Sequence, residues 1–277
     1  MNIPRRITQT FIFRLMEDLP EVFRRRTSSW ARHNPDWDYV YCNDTEMRKE
    51  VALGGTRLGL PLVEQFDRLQ FGAARADYWR YITLWLHGGV YADIDLMCLN
   101  PVAKWLPSDA ELVVCQPARK EADTSGPGRF FNGFIVSTPG SIHMERVIRV
   151  VYEKVCQVPD EELSRPGSLT FDTTGPRIFR KALGNLGSSP GVTVLQIERR
   201  ERPDAAKFKG KLPPRQFWLH RSGGKRVFVF RNDSFRLGPH ILRHTSHYNS
   251  SVLRANMIPP AIDGRAKSLP AGKPDGK

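Results

Sequence analysis

Residues 71–96 constrain this chain more than any other stretch. Phe71 to Leu86 sets Tyr78, Ile82, Trp85 and Leu86 along a helix after an alanine-rich entry, and Gly88-Gly89 stops it. Val90-Tyr91-Ala92-Asp93-Ile94-Asp95-Leu96 then reads as a strand running into a loop that closes at Asn100-Pro101. The chain's opening repeats this alternation. Ile3 to Phe13 suggests a strand and turn, and Glu17 to His33 a helix carrying Leu19, Val22, Phe23 and Trp30. Asn34-Pro35-Asp36 is a turn, and Trp37 to Tyr41 a second strand. Strand, helix, strand points to an α/β domain built on a parallel sheet.

The remaining elements are read in the same way. Asp44 to Ala52 and Leu60 to Leu69 are helix candidates broken by Gly54-Gly55 and Gly59. Glu111 to Gln116, Gly133 to Ser137, Val192 to Ile197 and Val227 to Phe230 read as strands, with helices over Ser141 to Val158 and Ile178 to Leu186. No internal repeat is visible. The tail from Pro259, rich in Pro, Gly, Ala and Lys, is expected to be disordered. One domain is therefore expected over residues 1–258, with a first half to about 140 and a second half beyond it, followed by a tail over 259–277.

Composition narrows the partners. No run of about 18 apolar residues is present, which excludes a membrane-spanning helix. Met1 to Arg6 has no apolar stretch behind its charges, so no secretory signal is expected there. Cys42, Cys98, Cys115 and Cys156 are far apart without a C-x-x-C pair and read as reduced, mostly buried thiols. The 42 Lys and Arg against 29 Asp and Glu give a net charge of +13. From Arg199 onward there are 18 basic and 5 acidic residues, so the whole excess lies there and the first 198 residues are neutral. Such a segment suits an anionic partner, whether nucleic acid, an anionic membrane surface or a phosphorylated substrate. It equally suits a solvated basic face.

The chemistry concentrates around the Gly88-Gly89 stop. Asp77 and Arg80, three apart, share one helix face. Asp93 and Asp95, two apart, are expected on one face at a strand's carboxyl end, where open α/β sheets gather ligands. Two hard oxygen donors side by side suit Mg²⁺ or Mn²⁺. Each part alone is ordinary: a lone D-x-D occurs by chance, D-x-x-R is a common surface ion pair, and Gly-Gly is a helix stop. Their joint spacing is specific.

That joint pattern, in RADYWRYITLWLHGGVYADIDLMCLNP, resembles the D-x-D region of glycosyltransferase family 32 and is similar to fungal initiation-specific α-1,6-mannosyltransferases. Further pieces agree in order. Ile3 to Thr10 resembles the family's I-P-K-x-I-H-Q-T strand with Thr8 in place of His, and Asn34-Pro35-Asp36-Trp37 its N-P-x-W turn. Asn132-Gly133-Phe134 resembles its N-x-F/I strand, and Thr174-Gly175-Pro176 its T-G-P turn. His247 to Val252 resembles H-x-x-x-S-W with Val252 in place of Trp.

The resemblance implies a GT-A fold, Rossmann-like, with a mostly parallel central sheet flanked by helices. It implies a retaining, metal-dependent hexosyltransferase that moves a sugar, mannose from GDP-mannose by the similarity, onto a glycan or glycolipid acceptor. Carried onto this chain, Asp95 holds Mn²⁺ or Mg²⁺, Asp93 contacts ribose, sugar or metal, and His247 is a further metal or diphosphate contact. Asp77, Arg80, Asp93 and Asp95 are the catalytic set, while Thr8, Gln9, Asp77, Arg80, Tyr91 and Asp93 bind the nucleotide-sugar. A metal with an Arg would stabilise the leaving diphosphate. No glycosidase-like carboxylate pair and no acceptor-activating base is recognisable.

Three other readings stand beside this one. Aromatic residues interleave the basic C-terminal part (Phe208, Phe217, Trp218, Phe228, Phe230, Phe235), but no nucleic-acid motif accompanies them, so no nucleic acid is expected. A sugar-binding module without catalysis would not need both Asp93 and Asp95. A phosphoryl-transfer enzyme would need a phosphate-cradling loop, and Gly223-Gly224-Lys225 is only a fragment of one. The expected compartment is the cytoplasm beside a membrane, or the Golgi lumen should an N-terminal anchor lie outside this sequence.

Overall fold

The computed structural model describes residues 2–11, 15–117, 130–164, 169–186 and 189–200, and the backbone of 216–220, 226–231, 234–237 and 240–243. The first strand, β1 (Arg6–Thr10), is followed by α1 (Glu21–His33), β2 (Asp38–Cys42), α2 (Asp44–Leu58), α3 (Leu62–Arg68) and α4 (Gly72–His87). Then come β3 (Gly89–Ala92), β4 (Leu96–Cys98), β5 (Leu112–Pro117), β6 (Phe131–Ser137), α5 (Ile142–Cys156), α6 (Asp160–Leu163), α7 (Leu169–Thr173) and α8 (Pro176–Leu183). β7 (Val192–Arg200), β8 (Gln216–His220), β9 (Arg226–Arg231), β10 (Ser234–Leu237) and β11 (His240–Arg243) complete the described elements.

Among the described residues the main sheet has the order β2-β1-β3-β6-β5-β7-β8-β9-β4. Its first six strands agree with the expected mostly parallel α/β sheet. β1 pairs parallel with β2 and β3, and β5 with β7, while β6 alone runs the other way between β3 and β5. β8, β9 and β4 extend the sheet through antiparallel pairs, and β10 and β11 form a separate hairpin. The sequence showed β9 but not β8, β10 or β11.

Two apolar layers cover the sheet. On one side α2, α3, α4, α5 and α8 contribute Val51, Phe66, Trp79, Ile82, Val147 and Phe179. On the other, Trp30 of α1 packs with Trp37, Trp105, Phe134 and Val113. Cys42, Cys98 and Cys115 are buried free thiols and Cys156 is an exposed one, as expected of reduced cysteines.

Glycines account for one correction and one confirmation. Gly54-Gly55 does not break a helix: α2 runs through both to Leu58 and stops at Gly59, whose φ of +66° is left-handed. Asn43 starts α2 by accepting the amides of Thr45 and Glu46, while Glu46 returns a bond to the Asn43 amide. Gly54 instead lets α4 approach, since a methyl there would lie 2.6 Å from Ile82 Cγ2, while one on Gly55 would lie 2.7 Å from Leu60 O. Gly88-Gly89 does stop α4, at φ +64° and +93°. A side chain on Gly89 would overlap the Arg6 carbonyl, so glycine also lets β3 slide in beside β1.

Candidate functional site

β3 ends at Ala92, and the next residues turn back. Leu96 N–H donates to Asp93 O at 3.0 Å, which makes Asp93-Ile94-Asp95-Leu96 a tight turn. Asp93 and Asp95 therefore sit in a turn between β3 and β4 and not on one face of a continuing strand, because the chain reverses into β4 at the sheet's far edge. The turn lies at the carboxyl end of β3, as expected.

Three neighbouring elements pin its backbone. Gln9 of β1 donates from Nε2 to Ala92 O at 3.2 Å and Asp93 O at 3.0 Å, and its Oε1 accepts from the Tyr39 hydroxyl at 2.8 Å. Asp93 N–H donates to Gly133 O of β6 at 2.8 Å. Trp30 Nε1 of α1 donates to Leu96 O at 2.9 Å. Thr8, paired in register with Val40 and Tyr91, is buried alongside Gln9.

Behind the turn lies a buried charge cluster. Arg80 Nη2 contacts Asp77 Oδ1 at 2.9 Å and Asp93 Oδ1 at 3.2 Å. Its Nη1 donates to Asn132 O at 2.7 Å, its Nε to Ala76 O at 3.2 Å, and its plane lies 4.5 Å from the Tyr91 ring centre. Tyr91 donates its hydroxyl to Asp93 Oδ1 at 2.8 Å. Asp77 is 2% exposed and also accepts from Asn132 Nδ2 at 3.0 Å and Thr174 Oγ1 at 3.5 Å. Arg80 thus joins the helix acid to the turn acid, and D-x-x-R is no surface ion pair.

Burial pushes the Asp77 carboxyl up to about 6, with Arg80 pulling down and Asp93 pushing up. Burial works against the Arg80 charge, but Tyr91, Asp93 and Asp77 outweigh it and hold the guanidinium protonated. Burial, and then Asp93, raise the Tyr91 hydroxyl well above its usual range, so it stays a donor.

The acidic turn fits a hard divalent cation. Asp93, whose side chain is 32% exposed, and the largely buried Asp95 are oxygen donors two residues apart. A methyl on Gly133 would overlap Asp93 Oδ2, so glycine there leaves the carboxylate its room. Among the described residues no three His, Cys, Asp or Glu groups gather as a closed metal site. A cation held here would take further oxygens from diphosphate and water, which suits Mg²⁺ or Mn²⁺. His247 lies outside the described residues, as do Val252 and the 259–277 tail.

The structure brings Asp77, Arg80, Tyr91, Asp93, Thr8 and Gln9 together around the turn that carries Asp95. Sequence reasoning gave Asn132, Tyr81 and Thr174 no role, yet Asn132 Nδ2 bonds both Asp77 and the Tyr81 hydroxyl at 3.0 Å. The signal was a lone amide inside the apolar run FNGFIVS, since a buried amide needs partners. His87 pairs with Glu50 at 3.2 Å, away from this cluster.

Residues 20–111, which hold this turn and the helix behind it, match the family model described as a glycosyltransferase sugar-binding region containing a DXD motif. The resemblance read from Asp77 to Asp95 is therefore borne out. The chain is similar to the initiation-specific alpha-1,6-mannosyltransferase of Schizosaccharomyces pombe, 23% identical over 198 residues, covering 66% of this chain and 48% of that protein. The same-named protein of Candida albicans is 25% identical over 216 residues, 68% of this chain and 55% of its own. Inositol phosphoceramide mannosyltransferase 3 of S. pombe is 31% identical over 96 residues, 35% of this chain and 25% of that protein. The chain spans about half the length of the initiation-specific enzymes.

Proposed function

We propose that this protein is a metal-dependent, retaining glycosyltransferase of GT-A type that moves mannose from GDP-mannose to a glycan or glycolipid acceptor. The observation that carries this reading is the Asp93–Asp95 turn, pinned from three sides and backed by the Asp77–Arg80 pair, inside the DXD-matching residues. The mannose part is supported by the names of the relatives, and a glycolipid acceptor by the inositol phosphoceramide enzyme among them.

Asp95 and Asp93 would hold the cation, which supplies positive charge to the diphosphate as it leaves. Asp93 is the more open carboxylate and faces the donor. Arg80 and the Tyr91 hydroxyl fix its Oδ1. The guanidinium also offsets part of the cluster's negative charge, which lowers the cost of holding these acids near a diphosphate. Gln9, Gly133 and Trp30 hold the turn's backbone still, so its geometry is set before the donor arrives.

A hydrolysis screen across nucleotide-sugars with Mn²⁺ tests donor and metal together. The expected result is GDP-mannose turnover that EDTA abolishes and Mn²⁺ restores. Turnover undiminished in EDTA, or no nucleotide-sugar used, defeats the reading.

The same proposal has the enzyme working peripherally on an anionic membrane surface. Its support is the excess of +13 after Arg199 beside a neutral catalytic part, together with the lipid named in one relative. Among the described residues no helix is long and apolar enough to cross a membrane.

A further inference from the structure

We infer that Asn132-Gly133 of β6 is the positioning element of the acidic site, holding Asp77, Arg80 and Asp93 in one arrangement. The inference rests on the proposed donor-binding role of that cluster. Asn132 has no part in that reading, and Gly133 enters it only through the room and the carbonyl it gives Asp93.

The two residues act through four contacts. Asn132 Nδ2 donates to Asp77 Oδ1 at 3.0 Å and to the Tyr81 hydroxyl at 3.0 Å. The Asn132 carbonyl accepts from Arg80 Nη1 at 2.7 Å, and the Gly133 carbonyl accepts the Asp93 amide at 2.8 Å. Finally, the missing side chain of Gly133 is the space that Asp93 Oδ2 occupies, beside the ring edge of Phe131. Asp77 and Arg80 belong to α4 and Asp93 to the turn after β3, and β6 touches both.

The Asn132 side chain reaches α4 while position 133 lies against Asp93, and the two carbonyls serve one element each. Asn132 itself is 5% exposed, so its amide is committed to these partners. Tyr81, the second partner, is anchored in turn: its hydroxyl donates to Thr174 O at 2.9 Å, and its ring stacks on Phe179 at 5.2 Å.

Opposite Asn132, the Asp77 carboxylate is closed in by a second glycine. A methyl on Gly175 would come within 3.1 Å of Asp77 Oδ2 and 2.9 Å of Thr170 O. Each acid of the cluster thus lies against a position where a side chain would displace it. Neither Asn132 nor Gly133 is a catalytic residue in this account, since both act through the acids they place.

Two variants of the full chain, Asn132→Ala and Gly133→Ala, test the inference. GDP with Mn²⁺ is the probe, titrated by calorimetry, beside thermal unfolding and a crystal structure of Gly133→Ala. Both variants should unfold cooperatively within about 5 °C of the parent. Both should bind Mn²⁺ and GDP about tenfold or more weakly, a loss of about 1.4 kcal/mol at the least. The Gly133→Ala structure should show the Asp93 carboxylate moved from its place. Parental affinity in either folded variant, or an unmoved Asp93, overturns the inference. A parent that binds no GDP with any cation refutes the functional reading instead, and the position of Asp93 in the two structures then decides this one. Asn132→Ala adds no bulk, so it carries the test should Gly133→Ala fail to fold.

Discussion

Arg80 shows how much one side chain can be asked to do. It satisfies Asp77, Asp93 and two backbone carbonyls while lying against Tyr91. Arg80→Lys keeps the charge but cannot supply a planar fork, so activity should fall in Arg80→Lys as in Arg80→Ala. Arg80→Ala also strands a buried carboxylate and should cost on the order of 3 kcal/mol in urea unfolding. Silence in both variants would remove Arg80 from the site. Asp95→Asn keeps the shape but takes one charge from the cation's oxygens, so turnover should fall by roughly 10² or more with the fold retained. Full activity would sink the metal reading. Asp77 carries a pH signature. Its pKa rises on folding to about 6 from the ordinary 3.8, so the folded state holds the proton more tightly. Its contribution is present at low pH and is lost as pH climbs through 4 to 6, by up to about 3 kcal/mol. Glu50, lowered by His87, Thr83 and Trp79 against its burial, runs in the opposite sense. The difference between parent and Asp77→Asn isolates the Asp77 part: parental stability should fall relative to the variant between pH 4 and 6. A constant difference across that range contradicts it.

At the scale of elements, the packing of α2 against α4 sets where Asp77 and Arg80 stand. Gly54 is the contact point, and alanine there sets helix propensity against space. Propensity favours alanine by up to about 1 kcal/mol. Overpacking against Ile82 costs about 1–3 kcal/mol. Space should win, so Gly54→Ala should lower the unfolding free energy, and adding Ile82→Val should restore part of it. Gly54→Ala that stabilises would mean the two helices can move apart. By contrast Gly59, with φ +66° and nothing within 4 Å of its missing side chain, is kept by its backbone alone. The same spacing logic explains β3: two glycines end α4 and let the strand enter between β1 and β6, which brings the acidic turn onto the carbonyl of Gly133.

For the whole molecule, charge divides along the sequence, neutral to residue 198 and +13 beyond it. Each Lys or Arg at an anionic surface contributes roughly 1 kcal/mol, and the attraction fades as the screening length drops from about 10 Å at 0.1 M salt to about 3 Å at 1 M. Sedimentation with anionic vesicles should therefore carry the protein down at low salt and release it at high salt, with neutral vesicles inert. Preference for RNA over anionic lipid would favour a nucleic-acid partner, and binding to neither would leave only a solvated basic face. The fold class and the acidic and basic groups of the candidate site were open to reading in the sequence because both depend on local spacing: 3.6-residue apolar periods for α1, α4 and α5, and D-x-x-R before G-G-x-Y-x-D-x-D. What spacing could not carry was anything set by a distant partner. The reversed direction of β6, the use of Gly54 as a contact and not a break, and the turn that takes Asp93 and Asp95 off the strand all depend on neighbours far away in the chain. So does the union of Asp77 with Asp93 through Arg80 and Asn132. A strand's residues look alike whichever way it runs, and a glycine looks like a break until another helix lies against it. The sequence by itself determined which groups could do the chemistry, and only the packing of α4 and β6 around β3 decided how they face one another.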